Sequence, residues 1–318
     1  MTEMSHPWLS VVVPSHNGER WLAAALQSVL DQNEPGIEVI LIDSSAADTS
    51  LEIAESISGK LDIRIQHRPD LLPWTAKTNV AVAQARAGWI CMLHQDDLWL
   101  PGRCAALRRW LSAPSDAVMH LHPAYIIDGA ARRLGLWRCP LPGGDQPVPG
   151  QVLLRRLLVQ NFIAIPAPAI RRDAYLKVGG LDEGLWYTAD WDLYLKLLFA
   201  GDIYYHPEPL ACFRIHGNSL TMSGGRGLED FRRQMEIVRD RHIGKLTAGH
   251  GETLRIASAS IEVNVALAAA GNGKPAQLIT ALARLAALGP RNLVRYVHHS
   301  RIVERAYPRL RARLAGRL

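Results

Sequence analysis

Short apolar runs alternate with helical segments along the first third of the chain. The apolar runs predict buried strands at residues 9–13, 37–42, 63–65 and 89–93. Between them, apolar residues recur at helical spacing at residues 21–30, 49–57 and 75–86. This alternation predicts an α/β fold in which a mostly parallel sheet carries helices on both faces.

Polar residues follow the predicted strands closely. Pro14 ends the first strand, so Ser15 and Asn17 come after it, and Asn17 is also a candidate cap for the next helix. Asp43 ends the second strand, and Asp96 follows the fourth. Ligands of such sheets bind at the carboxyl ends of the strands. We therefore expect Asn17, Asp43 and Asp96 to lie at one edge of the sheet.

Two adjacent carboxylates, Asp96 and Asp97, stand close after the run at residues 89–93. Carboxylates at the end of a buried strand are costly unless a cation lies beside them. One interpretation is a divalent metal that holds a diphosphate. The other is a helix cap, because residues 98–101 could begin a helix.

The remainder of the chain predicts a second half and a helical appendage. A loop rich in Pro and Gly covers residues 140–150, and helix and strand patterns mix over residues 151–222. From about residue 228 the pattern is helical, with a break at residues 271–275. We expect one domain at residues 1–222, with a first half at about 8–110 and a second half at about 111–222. Residues 223–318 form the basic helical region.

Composition narrows the class of protein. The 318 residues are 48% hydrophobic and 21% charged, which is typical of a globular protein. The N-terminus lacks the apolar core of a signal peptide, and no apolar run approaches the roughly 20 residues of a membrane span. The four cysteines show no metal-like spacing. These features predict a cytoplasmic protein with reduced, buried thiols.

The formal charge of +6 is concentrated near the C-terminus, where residues 291–318 hold eight arginines against one acid, Glu304. Apolar residues recur among these arginines. Such a segment suits an anionic membrane surface or a partner groove, and a solvated helix packed on its own domain is the alternative. The chain has no recognisable nucleic-acid motif. We therefore expect no nucleic-acid partner.

Taken together, the motifs resemble those of the family 2 glycosyltransferases of the GT-A fold. The resemblance covers roughly residues 8–222 and rests on segments 10–17, 39–45, 93–97, 178–182, 189–193 and 213–216, with Asn79 in the third helix. It implies a Rossmann-like sheet and inverting transfer of a sugar from a nucleotide-diphosphate sugar to an acceptor hydroxyl. Residues 1–222 would then be the catalytic domain, with the nucleotide-sugar half at about 8–110 and the acceptor half at about 111–222. The implied setting is bacterial polysaccharide or glycolipid assembly, with a saccharide or lipid-linked acceptor and a peripheral place on the inner membrane face.

The resemblance also implies a donor site with a divalent metal, Mg or Mn. Its implied nucleotide-sugar contacts are Pro14, Ser15, Asn17, Asp43, Asn79, His94, Gln95, Asp96 and Arg214. Asp96 is the expected metal ligand, His216 can complete the metal shell, and Asp97 is secondary. The chain departs from the family pattern at His94 and at Ser44–Ser45, where the family usually has acids.

For the acceptor, the resemblance implies Asp190 as the base that deprotonates the hydroxyl. The acid that usually precedes it is Ala189 here. Asp192 would point elsewhere, because positions i and i+2 of a helix diverge by about 200°. Trp186 and Trp191 are candidate acceptor platforms, with ordinary core packing as the alternative.

Two other functions stay open at this stage. A sugar nucleotidyltransferase would favour an early Gly-rich phosphate loop, whereas residues 14–18 contain one glycine. A non-catalytic nucleotide-sugar-binding protein would be consistent with the departures at Ser44, His94 and Ala189.

Overall fold

A computed structural model describes residues 6–113, 115–144, 146–217 and 227–316, without the side chain at position 314. A seven-stranded sheet forms its centre, in the order β10-β6-β9-β4-β1-β2-β3. The strands are β1 Leu9–Ser15, β2 Ile37–Asp43, β3 Asp62–His67, β4 Trp89–Met92, β6 Ala117–Leu121, β9 Ala169–Arg171 and β10 Asp202–Tyr205. Only β9 pairs antiparallel in this sheet, with β4 and β6. The predicted parallel arrangement is confirmed.

A second sheet of four strands has the order β5-β11-β7-β8. Its strands are β5 Leu98–Trp99, β7 Ala124–Ile127, β8 Arg133–Trp137 and β11 Ala211–Arg214. β5 stands where the helix-cap interpretation of the Asp pair expected a helix, so that interpretation is wrong. The next helix begins at Arg103.

Helices cover both faces of the central sheet and form the C-terminal region. The described helices are α1 Leu22–Leu30, α2 Thr49–Ser58, α3 Trp74–Gln84, α4 Arg103–Leu111, α5 Gly150–Val159, α6 Arg172–Lys177, α7 Ala189–Leu197, α8 Leu228–Ile243, α9 His250–Gly271, α10 Gln277–Ala286, α11 Gly289–Ser300 and α12 Ile302–Leu314. The predicted break after residue 271 is confirmed. The predicted boundary at residues 222 and 223 lies outside the described residues, and both predicted halves contribute strands to the central sheet.

Burial on both faces explains the unbroken apolar runs in the strands. Along β1, Val12 packs into one core and Val11 and Val13 into the other, and all three are fully buried. A strand covered on both faces needs apolar residues at every position rather than at alternate ones. The sequence pattern of β1 follows directly from this packing.

Two expectations about the turn after β1 are wrong. The strand continues through Pro14 to Ser15. Because β4 ends at Met92, opposite Val12, Pro14 has no strand on that side and its missing N–H costs no ladder bond. Asn17 does not cap α1, whose N-cap is Trp21, and instead adopts a left-handed φ of 51°.

Among the described helices, α9 alone is long and apolar enough to cross a membrane by length and composition, with a mean hydropathy of 1.2. Half of its most apolar stretch is buried against the rest of the protein. It packs on α5, α8 and α10. This packing is typical of a core helix.

Candidate active site

The structure brings the ends of β1, β2, β4 and β11 to one place. Ser44 N after β2 donates to Ser15 O at the end of β1 over 3.1 Å. The end of β11 arrives from the second sheet, where Arg214 N donates to Asp97 Oδ1 over 2.9 Å. Polar groups from both sheets therefore meet beside the turn that follows β4.

Asp96 and His216 form a partly exposed hydrogen-bonded pair at this edge. His216 Nε2 lies 3.0 Å from Asp96 Oδ2, and the side chains are 14% and 21% exposed. The His216 ring rests on Trp21 with ring centres 4.2 Å apart. Burial raises the pKa of Asp96, but the His216 hydrogen bond and the attraction of His94 and His216 outweigh it, so the pKa is lowered. Asp96 is an ionised acceptor at neutral pH.

Asp97 is buried and differs sharply from its neighbour. Burial and the adjacent Asp96 charge raise its pKa well above the usual value, and the contacts with Arg214 only oppose this. Its Oδ1 accepts from the Arg214 backbone, which fixes β11 against the turn. The two acids therefore have separate roles, with Asp96 facing the site and Asp97 supporting it.

Arg214 is a supporting residue rather than an open phosphate clamp. Its guanidinium donates to the backbone carbonyls of Asp96 (2.6 Å), Asp128 (2.8 Å) and Gly129 (3.2 Å). The residue is 2% exposed. These bonds join three turns, and the contact of Arg214 with the donor stays a prediction.

Gln95 also proves to be a structural bridge. Its Oε1 accepts from His16 N at 2.7 Å, and its Nε2 donates to His16 O at 2.9 Å. The Gln95 amide thus makes with His16 the two hydrogen bonds that a residue of a neighbouring strand would make. Both ends of the Gln95 amide are engaged, and its contact with the nucleotide stays a prediction.

Asn79 holds the loop at residues 178–182. Its Oδ1 accepts from Tyr175 Oη (2.6 Å) and Leu181 N (3.0 Å), and its Nδ2 donates to Leu181 O (2.9 Å). A Cβ at Gly180, where φ is +60°, would lie 2.7 Å from Asn79 Oδ1. The loop needs a glycine there, and the expected contact of Asn79 with the nucleotide stays a prediction.

Asp43 and Lys77 are buried residues that support the ends of β1 and β2. The fully buried Asp43 accepts from Ser45 N and Ser45 Oγ, both at 2.9 Å, so it shapes the turn after β2. Lys77 Nζ donates to Ser15 O at 2.6 Å and Ser44 Oγ at 2.7 Å. Burial lowers the pKa of Lys77 to about 8, against the attraction of Asp43. Lys77 was not among the predicted site residues. Its position four residues before Ala81, on the same side of the predicted helix, was the sequence feature that indicated a buried lysine.

Three buried polar atoms at this edge have no hydrogen-bond partner among the described residues. They are Ser15 Oγ, His94 Nε2 and Asp97 Oδ2. Such atoms typically cost about 1–3 kcal/mol each, and their grouping is consistent with a site that binds a polar ligand. His94 is flanked by Trp74, whose ring centre lies 5.1 Å away, and burial lowers the pKa of His94 against the attraction of Asp96.

Asp190 lies in the first turn of α7 and is held by one side-chain hydrogen bond. Asn161 Nδ2 donates to Asp190 Oδ2 at 2.9 Å, and Ile163 N fixes the Asn161 amide from the other end at 3.1 Å. Burial raises the pKa of Asp190 to about 6, although the Trp191 backbone and Asn161 oppose the shift. A carboxylate with this pKa is a stronger base than an exposed one.

Asp192 points away from Asp190, as predicted. It is fully buried and contacts His242 (2.8 Å), Arg241 (3.0 Å) and Lys196 (3.2 Å). Burial raises its pKa, but the His242 hydrogen bond and the neighbouring cations outweigh this and lower it to about 2. This network fixes α7 to α8.

Trp191 is a core residue, whereas Trp74 and Trp186 are half-buried. Trp191 is 4% exposed and donates to Leu157 O at 2.8 Å, which is the core packing that was the alternative to an acceptor contact. Trp186 is half-buried and donates to Asp230, while Trp74 Nε1 donates to Trp186 O at 2.9 Å. Trp74 therefore connects the His94 region to the segment that precedes Asp190.

Over the described part of the chain, no group of three or more His, Cys, Asp or Glu residues is arranged to hold a metal ion. The four cysteines are free and buried, as the sequence predicts.

The comparisons with known proteins agree with this geometry. The family model for "Glycosyl transferase family 2" matches residues 10–179. An uncharacterised glycosyltransferase of Haemophilus influenzae is 23% identical over 74% of this chain and 77% of its own length. Another, from Rickettsia prowazekii, is 25% identical over 71% of this chain and 69% of its own.

Solved structures show the same fold at low sequence identity. S. aureus TarS in complex with UDP-GlcNAc has a TM-score of 0.63 at 18% identity, covering 97% of this chain and 92% of that chain. The mannosyltransferase PcManGT from Pyrobaculum calidifontis, in complex with GDP-Man and Mn²⁺, has a TM-score of 0.54 at 16% identity, with coverages of 95% and 88%. The fold is GT-A. Because the family model matches more than half of the 318 residues, the protein belongs to glycosyl transferase family 2 and is a glycosyltransferase.

Proposed function

We propose that this protein transfers a sugar from a nucleotide-diphosphate sugar to an acceptor hydroxyl and inverts the anomeric configuration. The observation that carries the proposal is Asp190, a carboxylate in the first turn of a helix whose pKa is raised to about 6 and whose position is fixed by Asn161. Inversion requires a base on the face opposite the leaving group, and a single positioned carboxylate supplies it.

The donor is proposed to bind along the ends of β1 and β4, which we call the donor edge. Pro14, Ser15, Asn17 and His94 are the proposed contacts to the nucleotide sugar, and the unpaired Ser15 Oγ and His94 Nε2 support this. Asp43, Asn79, Gln95 and Arg214 shape the edge through their hydrogen bonds. Nucleotide sugars are present in the structures of TarS and PcManGT, which share the fold.

Asp96 and His216 are proposed to hold a divalent ion together with the donor diphosphate. The two side chains lie 3.0 Å apart, and a carboxylate and an imidazole are both groups that a divalent ion such as Mn²⁺ could take as ligands. Mg and Mn bind with few protein groups when phosphate oxygens complete the shell, so two residues suffice. When bound, the ion would act as a Lewis acid that stabilises the leaving diphosphate. The Mn²⁺ in the PcManGT structure supports this proposal.

On the acceptor side, Asp190 would accept the proton of the hydroxyl as its oxygen forms a bond to the anomeric carbon. The bond from that carbon to the phosphate oxygen breaks, and its electron pair leaves with the nucleoside diphosphate. Trp186 is half-buried, stands four residues before Asp190 in the chain, and is the proposed acceptor contact. The proposed acceptor is a saccharide or lipid-linked intermediate of bacterial polysaccharide or glycolipid assembly.

The β1–α1 turn argues against a sugar nucleotidyltransferase. Three successive backbone amides in this turn already donate to side chains: His16 N to Gln95, Asn17 N to Ser45 and Gly18 N to Ser50. A phosphate loop needs such amides to face the phosphates. The turn is therefore closed to that role.

The donor site is tested by titrating nucleotide-diphosphate sugars into the protein by calorimetry, with Mn²⁺ or with EDTA. We expect a UDP- or GDP-sugar to bind in the presence of Mn²⁺ and to stabilise the fold by about 2.7 kcal/mol at a hundred times its Kd. If no nucleotide sugar binds under either condition, the proposed donor site is wrong.

A further inference from the structure

Helices α11 and α12 expose six large apolar side chains among their described residues, although Tyr296 and Ala312 are buried. On α11, Leu293, Val294 and Val297 are 36%, 68% and 43% exposed, while the polar Asn292 and Ser300 are buried. This is the reverse of a helix that packs its apolar face on its own domain. The outward face must therefore suit another environment.

Helix α12 continues the same surface. Its Val303, Tyr307 and Leu310 are 65%, 60% and 57% exposed and follow one another at spacings of four and three residues. Val303 and the α11 residues Leu293, Val294 and Val297 line one groove of about 520 Å³ between the two helices. We call these six exposed residues the C-terminal apolar patch.

Arginines border the patch. Arg291 on α11 and Arg311 and Arg313 on α12 are exposed. At about 100° per residue, Arg311 and Arg313 lie on opposite sides of the stripe that Val303 and Leu310 define. The one acid of residues 291–318, Glu304, is already paired with Arg138 and Arg301.

An apolar stripe bordered by unopposed cations matches a surface of anionic lipids, where each arginine adds about 1 kcal/mol of attraction. A second copy of the chain matches it less well, because a twofold interface on this patch would bring arginines against arginines. An anionic lipid surface can bury the six exposed apolar side chains and neutralise the flanking arginines.

The opposite face of α12 lies against the proposed acceptor side. A Cβ at Gly135 of β8 would lie 2.7 Å from Pro308, so the helix sits directly on that strand. Burial raises the pKa of Tyr187, and Arg305 and Arg309 of α12 oppose this from nearby, while Asp190 adds to it. One helix thus connects the patch to the neighbourhood of Asp190.

We propose that the C-terminal apolar patch docks this protein on an anionic lipid surface, with the apolar side chains at the headgroup boundary and the arginines on the phosphates. The docked orientation would bring the Asp190 side of the site toward acceptors carried by the membrane. That last step rests on the proposed function, whereas docking itself does not.

The test is flotation of the full chain with phosphatidylcholine vesicles, with and without phosphatidylglycerol. We expect binding to the anionic vesicles only, weakened by salt. The variant carrying Val294→Glu and Tyr307→Glu should bind at least about tenfold more weakly, and Arg311→Glu with Arg313→Glu should do the same. The matched control is Leu176→Glu on α6, where the leucine is 43% exposed, and it should bind as the parent does.

Several results would overturn the proposal. One is absence of binding to anionic vesicles by the folded parent protein. Another is equal loss of binding in the patch variants and in Leu176→Glu. A third is a dimer in sedimentation velocity that Val294→Glu dissociates, with no vesicle binding, which would assign the patch to a second copy. Calorimetric donor binding, measured separately, shows whether the proposed function fails independently.

Discussion

The donor edge and the acceptor side achieve their geometry in different ways. At the donor edge, side chains such as Gln95, Asn79 and Arg214 are each held by two or more hydrogen bonds to backbone or neighbouring groups. On the acceptor side, one half-buried carboxylate, Asp190, has a single side-chain partner and a pKa raised to about 6. This difference is consistent with a proposed donor edge that holds a ligand in a fixed position and a proposed acceptor side that exchanges a proton.

The largest expected effect comes from Asp190→Asn, which keeps the shape of the side chain and removes the base. Turnover should fall by about 10²–10⁴-fold. Donor affinity by calorimetry should stay unchanged, because Asp190 does not belong to the donor edge. The matched control is Asp240→Asn on α8, whose side chain is 60% exposed. Loss of donor binding in Asp190→Asn would contradict the separate roles proposed for the donor edge and the acceptor side.

The Asp192 network supports the acceptor side, and its removal should cost stability. In Asp192→Ala, three cationic or hydrogen-bonding partners lose a buried carboxylate, with an expected cost of about 3–5 kcal/mol in urea unfolding. The exposed Asp240→Ala should cost less than about 0.5 kcal/mol. Equal midpoints for the two variants would contradict the anchoring role.

The same network predicts a pH dependence. The pKa of Asp192 in the fold is about 2, below the ordinary 3.8. Its contribution to stability is therefore fully present above about pH 3.8 and is lost as the pH falls toward 2. The difference in unfolding free energy between parent and Asp192→Ala should shrink over that range.

At the donor edge, His216→Ala should weaken Mn²⁺-dependent donor binding by about 10–100-fold. Binding measured in EDTA should change little, because the proposed role of His216 acts through the ion. His250→Ala, at an exposed position on α9, is the control. Equal weakening with and without Mn²⁺ would assign His216 a direct or purely structural role.

The smallest expected effect is a shift of a pH profile. Turnover should rise with pH through about 6 and level off above it, since Asp190 acts only when deprotonated. Asn161→Ala removes a hydrogen bond that lowers the pKa of Asp190, so the acid limb should move to higher pH by up to about one unit. An unmoved limb would show that another group controls the profile.

Much of the fold follows from the sequence because strand–helix alternation leaves few topologies. The parallel neighbours β1, β2, β3 and β4 were predictable from their apolar runs. The four-stranded sheet was not, because β5 has two residues and pairs with β11 more than 100 positions away. No local pattern encodes such a pairing.

The positions of the predicted site residues along the strands and helices were predictable, whereas the hydrogen-bond partners of the amides were not. Asp96, His216 and Asp190 stand where their motifs place them relative to strands and helices. Gln95 and Asn79 were assigned to the nucleotide, but an amide donates and accepts in either direction, so its partners depend on tertiary distances. The role of Lys77 was not predicted, because its partners, Ser15 O and Ser44 Oγ, come from other segments of the chain.

The central claim is that Asp190 activates a nucleophile on the face opposite the leaving diphosphate. The most direct measurement is proton NMR of the sugar first released when the enzyme hydrolyses an α-linked nucleotide-diphosphate sugar, recorded before mutarotation. The account predicts the β anomer first, with its formation lost in Asp190→Asn. The α anomer first, or hydrolysis at an unchanged rate in Asp190→Asn, would contradict it.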